Sequence, residues 1–450
     1  VNQADTCRHA VHVAVLQRCH IRLQRGEILS GPTLAKGLNA CKEPIDAPTA
    51  PYFSSCVHCG RCSEACLYFT ETGDPAKTPI NKLEPLRKTW WQEYTFLGRL
   101  AKAVGLSKPV TDAELTEWET LVYDSCTLCG RCSMVCPVGN DITYMLRKMR
   151  EGMAASGHAP PGLIGATQRA VTIGSPMGVK LPALQAQIRY TEEEIGMDIP
   201  VDVEGVDYML LLSSMEIMNF PEFIGAVAKI FKQAGVTWTI SSEAFEATNS
   251  GIQIGVSEIA AELVERIVRA AEKLRVKNVI SPECGHAYMA IRWEGPNLIG
   301  RPYNFHVVHI LELLDDLRKE GRLKTTGKES QRLTYHDPCQ ISRRGCVVEQ
   351  PRNLVNMIAG DYVEMPDSGT MNWCCGAGGG VSSNERADEV RLKVFNSKKK
   401  QLDAVNPDAI VSACSNCRIH LEDGLEEYHM EIPVLSLTET IAEHLADDKG

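Results

Sequence analysis

The chain has 450 residues, 44% of them hydrophobic and 23% charged, with a formal net charge of -10. That length accommodates two or three domains, each with its own core. The acidic balance argues against a nucleic-acid partner, since phosphate binding is driven by clustered Lys and Arg. No apolar run of about 18 residues exists, so no membrane span is expected.

The N-terminal segment, residues 1–50, mixes charge into short apolar stretches, so no cleavable leader is expected and the chain is expected in the cytoplasm. In that reducing compartment, eighteen cysteines, many at two-residue intervals, point to metal ligation rather than disulfides. Cys7, Cys19 and Cys41 stand at spacings that match no ligand set and read as buried or incidental thiols.

Two near-copies follow, "CVHCGRCSEAC" from Cys56 and "CTLCGRCSMVCP" from Cys126. In this spacing three thiolates wrap one corner of a cubane iron–sulfur cluster, and the fourth cysteine, on the next helix, ligates the other cluster. The pattern assigns Cys56, Cys59, Cys62 and Cys136 to one 4Fe-4S cubane and Cys126, Cys129, Cys132 and Cys66 to a second. Gly60 and Gly130 let the loops turn. Zinc also takes paired Cys-x-x-Cys but does not ask for the triple spacing. Residues 51–155 resemble a two-cluster, α-helical ferredoxin-like domain with a helical insertion. In that insertion Trp90, Trp91, Tyr94, Leu97 and Leu100 recur at helical intervals, which predicts a core-facing helix. The alternative is a docking surface for a membrane subunit.

A Pro/Gly-rich linker is expected over 156–200, after which strand-like runs alternate with amphipathic helices in two copies, 201–325 and 326–450. The fold class expected is therefore multidomain, α+β and α/β: the ferredoxin-like domain followed by two tandem α/β domains. Aligning the copies sets Ile280–Cys284 on Ala413–Cys417, so that Cys284 matches Cys417, and sets Ser213 or Ser214 opposite Cys339. The first copy keeps one thiol of five.

Those five are Cys339 in "HDPC", Cys374 and Cys375 in "WCCGAGG", and Cys414 and Cys417 in "SACSNC". Adjacent cysteines on an extended chain point to opposite faces, so bridging separate irons is simpler than binding one ion. The pattern resembles the cysteine-rich CCG-domain family, whose best-known members are catalytic subunits of heterodisulfide reductases. The whole arrangement is similar to the D-type subunit of the membrane-bound enzymes and, through "PECGHAY" at 282–288, to the K-type subunit of a sulfite-reductase-linked membrane complex.

The resemblance implies a noncubane 4Fe-4S cluster on Cys339, Cys374, Cys375, Cys414 and Cys417 in domain 326–450, with 201–325 a degenerate CCG domain. It further implies electrons from a membrane quinone-interacting cytochrome b-type subunit, and a disulfide or trisulfide substrate, carried on a small sulfur-carrier protein or free. Peripheral attachment to the cytoplasmic membrane would run through those partner subunits. Cys284 reads as an extra ligand at the catalytic site or as a structural remnant. His336 and His286 are candidate proton donors. Arg343 and Arg344 are candidates to attract an acidic substrate tail, and Gly376 and Gly378–Gly380 to let substrate or cluster approach the backbone. The competing function is an electron-transfer subunit of a flavin-dependent hydroxyacid or glycerol-phosphate dehydrogenase. The chain carries no Gly-x-Gly-x-x-Gly fingerprint, so a flavin would belong to a partner.

Overall fold

The computed structural model describes residues 41–446, which leaves Cys7 and Cys19 outside the described residues. Up to residue 200 the chain is helical. Each cysteine loop is followed by one short turn of helix, Arg61–Glu64 and Arg131–Met134, and the second loop leads on to the long helix Ile142–Ala155. Cys41 is buried, which pushes its thiol up to about 12 and leaves it an inert apolar residue.

The insertion differs from its periodicity. Thr95 ends one helix, Glu84–Tyr94, and caps the next, Phe96–Ala103, by accepting from the Gly98 N–H at 3.0 Å. The break turns the apolar stripe outward: Tyr94, Phe96, Leu97 and Leu100 are exposed, and the core is served instead by Leu83, Leu86 and the half-buried Trp90 against Phe53. The linker stretch is also ordered. It forms helices Pro161–Ile173 and Leu181–Ile195, whose Leu163, Leu184 and Ile188 are buried.

Two four-stranded parallel sheets follow. The first comprises β1 (Tyr208–Leu210), β2 (Trp238–Ile240), β3 (Asn278–Ser281) and β4 (His306–His309), in the order β2-β1-β3-β4. The second comprises β5 (Glu329–His336), β6 (Ala359–Val363), β7 (Ala409–Ser412) and β8 (Val434–Ser436), in the order β6-β5-β7-β8. Central strands such as β7 are buried at every residue, as expected when helices cover both faces. In each sheet the chain first crosses to one side and then to the other, so the strand order switches between β1 and β3, and between β5 and β7. Loops leaving the carboxyl ends of strands at such a switch point form a crevice. The loops after β5 and β7 carry Cys339 and the Cys414/Cys417 pair.

Candidate iron–sulfur and thiol site

The two cysteine loops share one backbone. The residue before the second cysteine is left-handed in both, His58 at φ 53° and Leu128 at φ 55°, and so is the next glycine, Gly60 at 79° and Gly130 at 82°. Flanking one cysteine with two such residues curls the loop so that its thiols converge. Cys56, Cys59, Cys62 and Cys136 line a single cavity, with Phe53, Leu83 and Arg87. Cys66 lies apart from them, with its Sγ 3.8 Å from the buried Lys82 Nζ. Burial and then the neighbouring Cys129, Cys66 and Cys126 push the Cys132 thiol well above its ordinary value. Each run's fourth thiol thus lies with the other run's three.

The five thiols of the second sheet are all buried and form one group. Cys339 Sγ lies 3.8 Å from Cys374 Sγ. Cys374 also meets the Thr127 hydroxyl at 3.4 Å and the Cys129 thiol, whose hydrogen bond holds its pKa down. Its neighbour Cys375 turns the other way, and hydrogen bonds from Cys374 and Cys417 lower it well below the ordinary thiol range. Cys414 is lowered by its contact with Cys417. The divergence of adjacent side chains therefore places one cysteine of the pair toward the second cysteine loop and the other toward the Cys-x-x-Cys helix Ser415–Glu427.

His336 ends β5 beside them. Its ring is fully buried, neither nitrogen has a protein partner, and one nitrogen lies with Cys375 and Cys417 Sγ such that all three atoms are within 4.8 Å of one another. Burial holds its pKa well below the usual imidazole value, so the ring is neutral. An unpartnered buried imidazole is costly. Five soft thiols with an orphaned nitrogen exceed what one tetrahedral ion accepts and suit an iron–sulfur group. Lys398, buried next to these thiols, has its pKa pushed down to about 8, chiefly by burial.

Several expectations are corrected here. Cys284 caps the helix that follows β3 just as Cys414 caps the helix that follows β7, with nearly equal backbone angles. Cys284 thus corresponds to Cys414, not to Cys417, because the loop after β3 is one residue longer than the loop after β7. It is buried 4.0 Å from the Thr248 hydroxyl, and the adjacent Gly285 N–H donates to Cys414. The glycine run makes room for the protein itself. A Cβ on Gly379 would lie 2.5 Å from the Thr127 carbonyl oxygen, and one on Gly378 would lie 2.8 Å from the His286 ring. His286 accepts the Gly379 N–H at Nε2, 3.1 Å away, and burial lowers its pKa to about 4, so it stands as a neutral acceptor rather than a proton donor. Arg343 is buried and donates to the Cys129, Thr370 and Asn372 carbonyls, while Arg344 pairs with Asp141 at 3.6 Å; neither is a free cation for a substrate tail.

Sequence reasoning passed over Arg150. It is fully buried and donates to the carbonyls of Val122, Cys126, Gln253 and Gly379, which fixes the second cysteine loop against the glycine run. A lone Arg on an amphipathic helix, bonded only to distant backbone, leaves no motif to find.

Comparison with known proteins agrees with this geometry. A 4Fe-4S dicluster domain matches residues 52–140, and a cysteine-rich domain matches residues 333–422. The D-type subunit of the dihydromethanophenazine:CoB–CoM heterodisulfide reductase of Methanosarcina barkeri is 27% identical over 397 residues, 87% of this chain and 93% of that protein. The chain thus carries a 4Fe-4S dicluster domain and a cysteine-rich domain, and over most of its length it is similar to that D-type subunit. An Hdr-like menaquinol oxidoreductase iron–sulfur subunit of Archaeoglobus profundus is 24% identical, covering 79% of this chain and 72% of that subunit. An EtfAB:quinone oxidoreductase of Syntrophomonas wolfei is 26% identical, covering 84% of this chain and 56% of its own length. These matches support an iron–sulfur oxidoreductase, and no helix among the described residues is long and apolar enough to cross a membrane.

Proposed function

We propose that this chain is the catalytic iron–sulfur subunit of a membrane-associated redox complex that reduces a disulfide or trisulfide. Its domains are taken as 51–155 for two cubanes, 201–325 for a degenerate CCG domain and 326–450 for a noncubane cluster. Cys56, Cys59, Cys62 and Cys136 would hold one cubane, Cys126, Cys129, Cys132 and Cys66 the other, and Cys339, Cys374, Cys375, Cys414 and Cys417 the noncubane cluster. Once bound, these groups supply one-electron carriers and, at the last site, iron able to keep a sulfur fragment between two electron deliveries. The partners on this reading are a quinone-interacting, cytochrome b-type membrane subunit and a small sulfur-carrier protein bearing the substrate.

The residues of the chain do the rest. Arg150 and Arg343 hold the Cys126–Cys132 loop against the five-thiol site through backbone carbonyls, so the two metal sites keep a fixed separation. Gly379, at positive φ, lets that loop seat closely on the glycine run at Thr127. Lys398 offers positive charge beside thiolates that burial would otherwise disfavour. The observation that carries the reading is the contact of Cys374 with Cys129, which joins the ferredoxin-type loop directly to the five thiols. The resemblance to an EtfAB:quinone oxidoreductase favours a second reading, in which the chain only passes electrons and cleaves no sulfur bond. Electron paramagnetic resonance decides between them. Iron-replete, oxidised protein treated with substrate thiol is expected to show a substrate-bound signal that Cys375→Ser loses, and a silent wild type favours the second reading.

A further inference from the structure

We infer that the short helix Phe96–Ala103 and the turn after it form a seat for an anionic membrane surface, so that this chain touches lipid directly as well as through a partner. The inference depends on no part of the redox reading. Tyr94, Phe96, Leu97, Leu100, Val104 and Leu106 are 49%, 74%, 67%, 52%, 60% and 83% exposed, the densest group of large exposed apolar side chains among the described residues. Single exposed apolar residues are ordinary, but six within thirteen positions are not.

The side facing inward is fixed. Gly98 packs so closely on the Trp91 carbonyl that a Cβ there would collide with it, and Lys102 pairs back to Glu93 on the preceding helix. With Gly98 turned inward, Phe96, Leu97 and Leu100 fall on the outer arc of the helix and Val104 follows in the turn after it, a face that is apolar where a surface helix is ordinarily polar.

Charge selects the occupant. The whole chain carries -10, yet residues 96–110 hold Arg99, Lys102 and Lys108 and no acid. Arg99 and Lys108 are exposed at the rim of the apolar face. Bulky apolar residues bordered by cations, on a short helix lying flat on its domain, are the composition of an interfacial helix whose apolar side enters the headgroup boundary while cations meet anionic lipid. The patch belongs to the domain of the first cysteine loop, since helix Glu84–Tyr94 lies beneath it and contributes Arg87 to that loop's cavity. Seating on lipid would therefore bring that domain to the membrane side.

Flotation of the purified full chain with vesicles tests this. With phosphatidylglycerol and phosphatidylcholine in equal parts the protein is expected to co-float at low salt, and with phosphatidylcholine alone or at high salt to float much less. Arg99→Glu should weaken partitioning to the anionic vesicles by about fivefold or more. Leu97→Asp combined with Leu100→Asp should abolish flotation. Because both leucines are solvent-facing, this variant is expected to keep its circular dichroism and iron content. Wild-type protein that stays at the bottom of the gradient with anionic vesicles, or a double variant that floats like wild type, overturns the proposal. The first outcome would leave the patch to a protein partner.

Discussion

The two sheets are built alike and furnished differently. Both run strand orders of one topology, and in both the loops at the carboxyl ends of the two central strands meet at a switch point. In the second these loops present Cys339, Cys414 and Cys417. In the first, the strand register sets Ser214 where Cys339 stands, and Glu246, buried and accepting from Ser214 and the Thr248 N–H, occupies the loop that corresponds to Cys374 and Cys375. The apolar strands keep one scaffold in both halves, and the difference lies in a few crevice residues. The first half carries hydroxyls and carboxylates at these places. Its Glu283 accepts from Ser436 Oγ at 3.0 Å and from the Thr438 N–H and hydroxyl at 3.0 and 2.7 Å, inside the second half.

The sharpest way to break this comparison is to remove one thiol from each half. Cys375→Ser is expected to lose the iron of the five-thiol site, about one third of the total if three four-iron groups are bound, while the two ferredoxin-type signals persist. Cys284→Ser, at the position matching Cys414, is expected to leave iron content unchanged. Iron assay with electron paramagnetic resonance on both variants checks this, and equal loss would mean that the first half still ligates.

Gly379→Ala ranks next. The residue sits at φ +64°, and its new Cβ would meet the Thr127 carbonyl at 2.5 Å, against backbone that cannot swing aside. Left-handed strain alone costs about 1–2 kcal/mol, and the clash raises the expected loss to roughly 3 kcal/mol. Chemical denaturation should register it. A smaller effect would show that the second cysteine loop yields, and that the tight seat on the glycine run is dispensable.

Much of this was legible in the sequence because it recurs. The doubled eleven-residue cysteine runs, the α/β repeat and the five-thiol pattern are periodic or local, and the structure brings the thiols of each set together. What stayed hidden depends on single side chains bonded to distant backbone. Arg150, Glu283 and Tyr68, whose hydroxyl donates to the Gly376 carbonyl at 2.6 Å, have no pattern around them. Alignment by residue identity also misled, since matching the cysteines of "SPEC" and "ACSNC" shifted Cys284 by three positions. The strand ends Ser281 and Ser412 and the helix caps Cys284 and Cys414 give the true register. The outward turn at Thr95 likewise overrode a helical period that reads as core.

Glu283→Ala probes the structural side of the comparison. It strips the acceptors from two hydroxyls and one N–H in a buried place, at an expected cost of about 2 kcal/mol, while the Glu283 carbonyl keeps its bond from the Ser415 N–H. Thermal unfolding checks the loss, and because no thiol is touched the iron content should stay at its wild-type value.

The smallest effect is a pH slope. His286, from the first half, must stay neutral to accept the Gly379 N–H, and its folded pKa of about 4 lies below the ordinary 6.5. Between those values the unfolded chain binds more protons than the folded one, so stability falls as pH drops from 6.5 toward 4. The full slope for one such group is about 1.4 kcal/mol per pH unit. His286→Gln retains an acceptor for Gly379 but cannot titrate, so denaturation midpoints measured from pH 7 to 5 should fall less steeply in the variant by about 1 kcal/mol per unit. Parallel slopes in the two proteins would mean that the imidazole titrates alike in the folded and unfolded chain, and that its lone pair does not hold the glycine run.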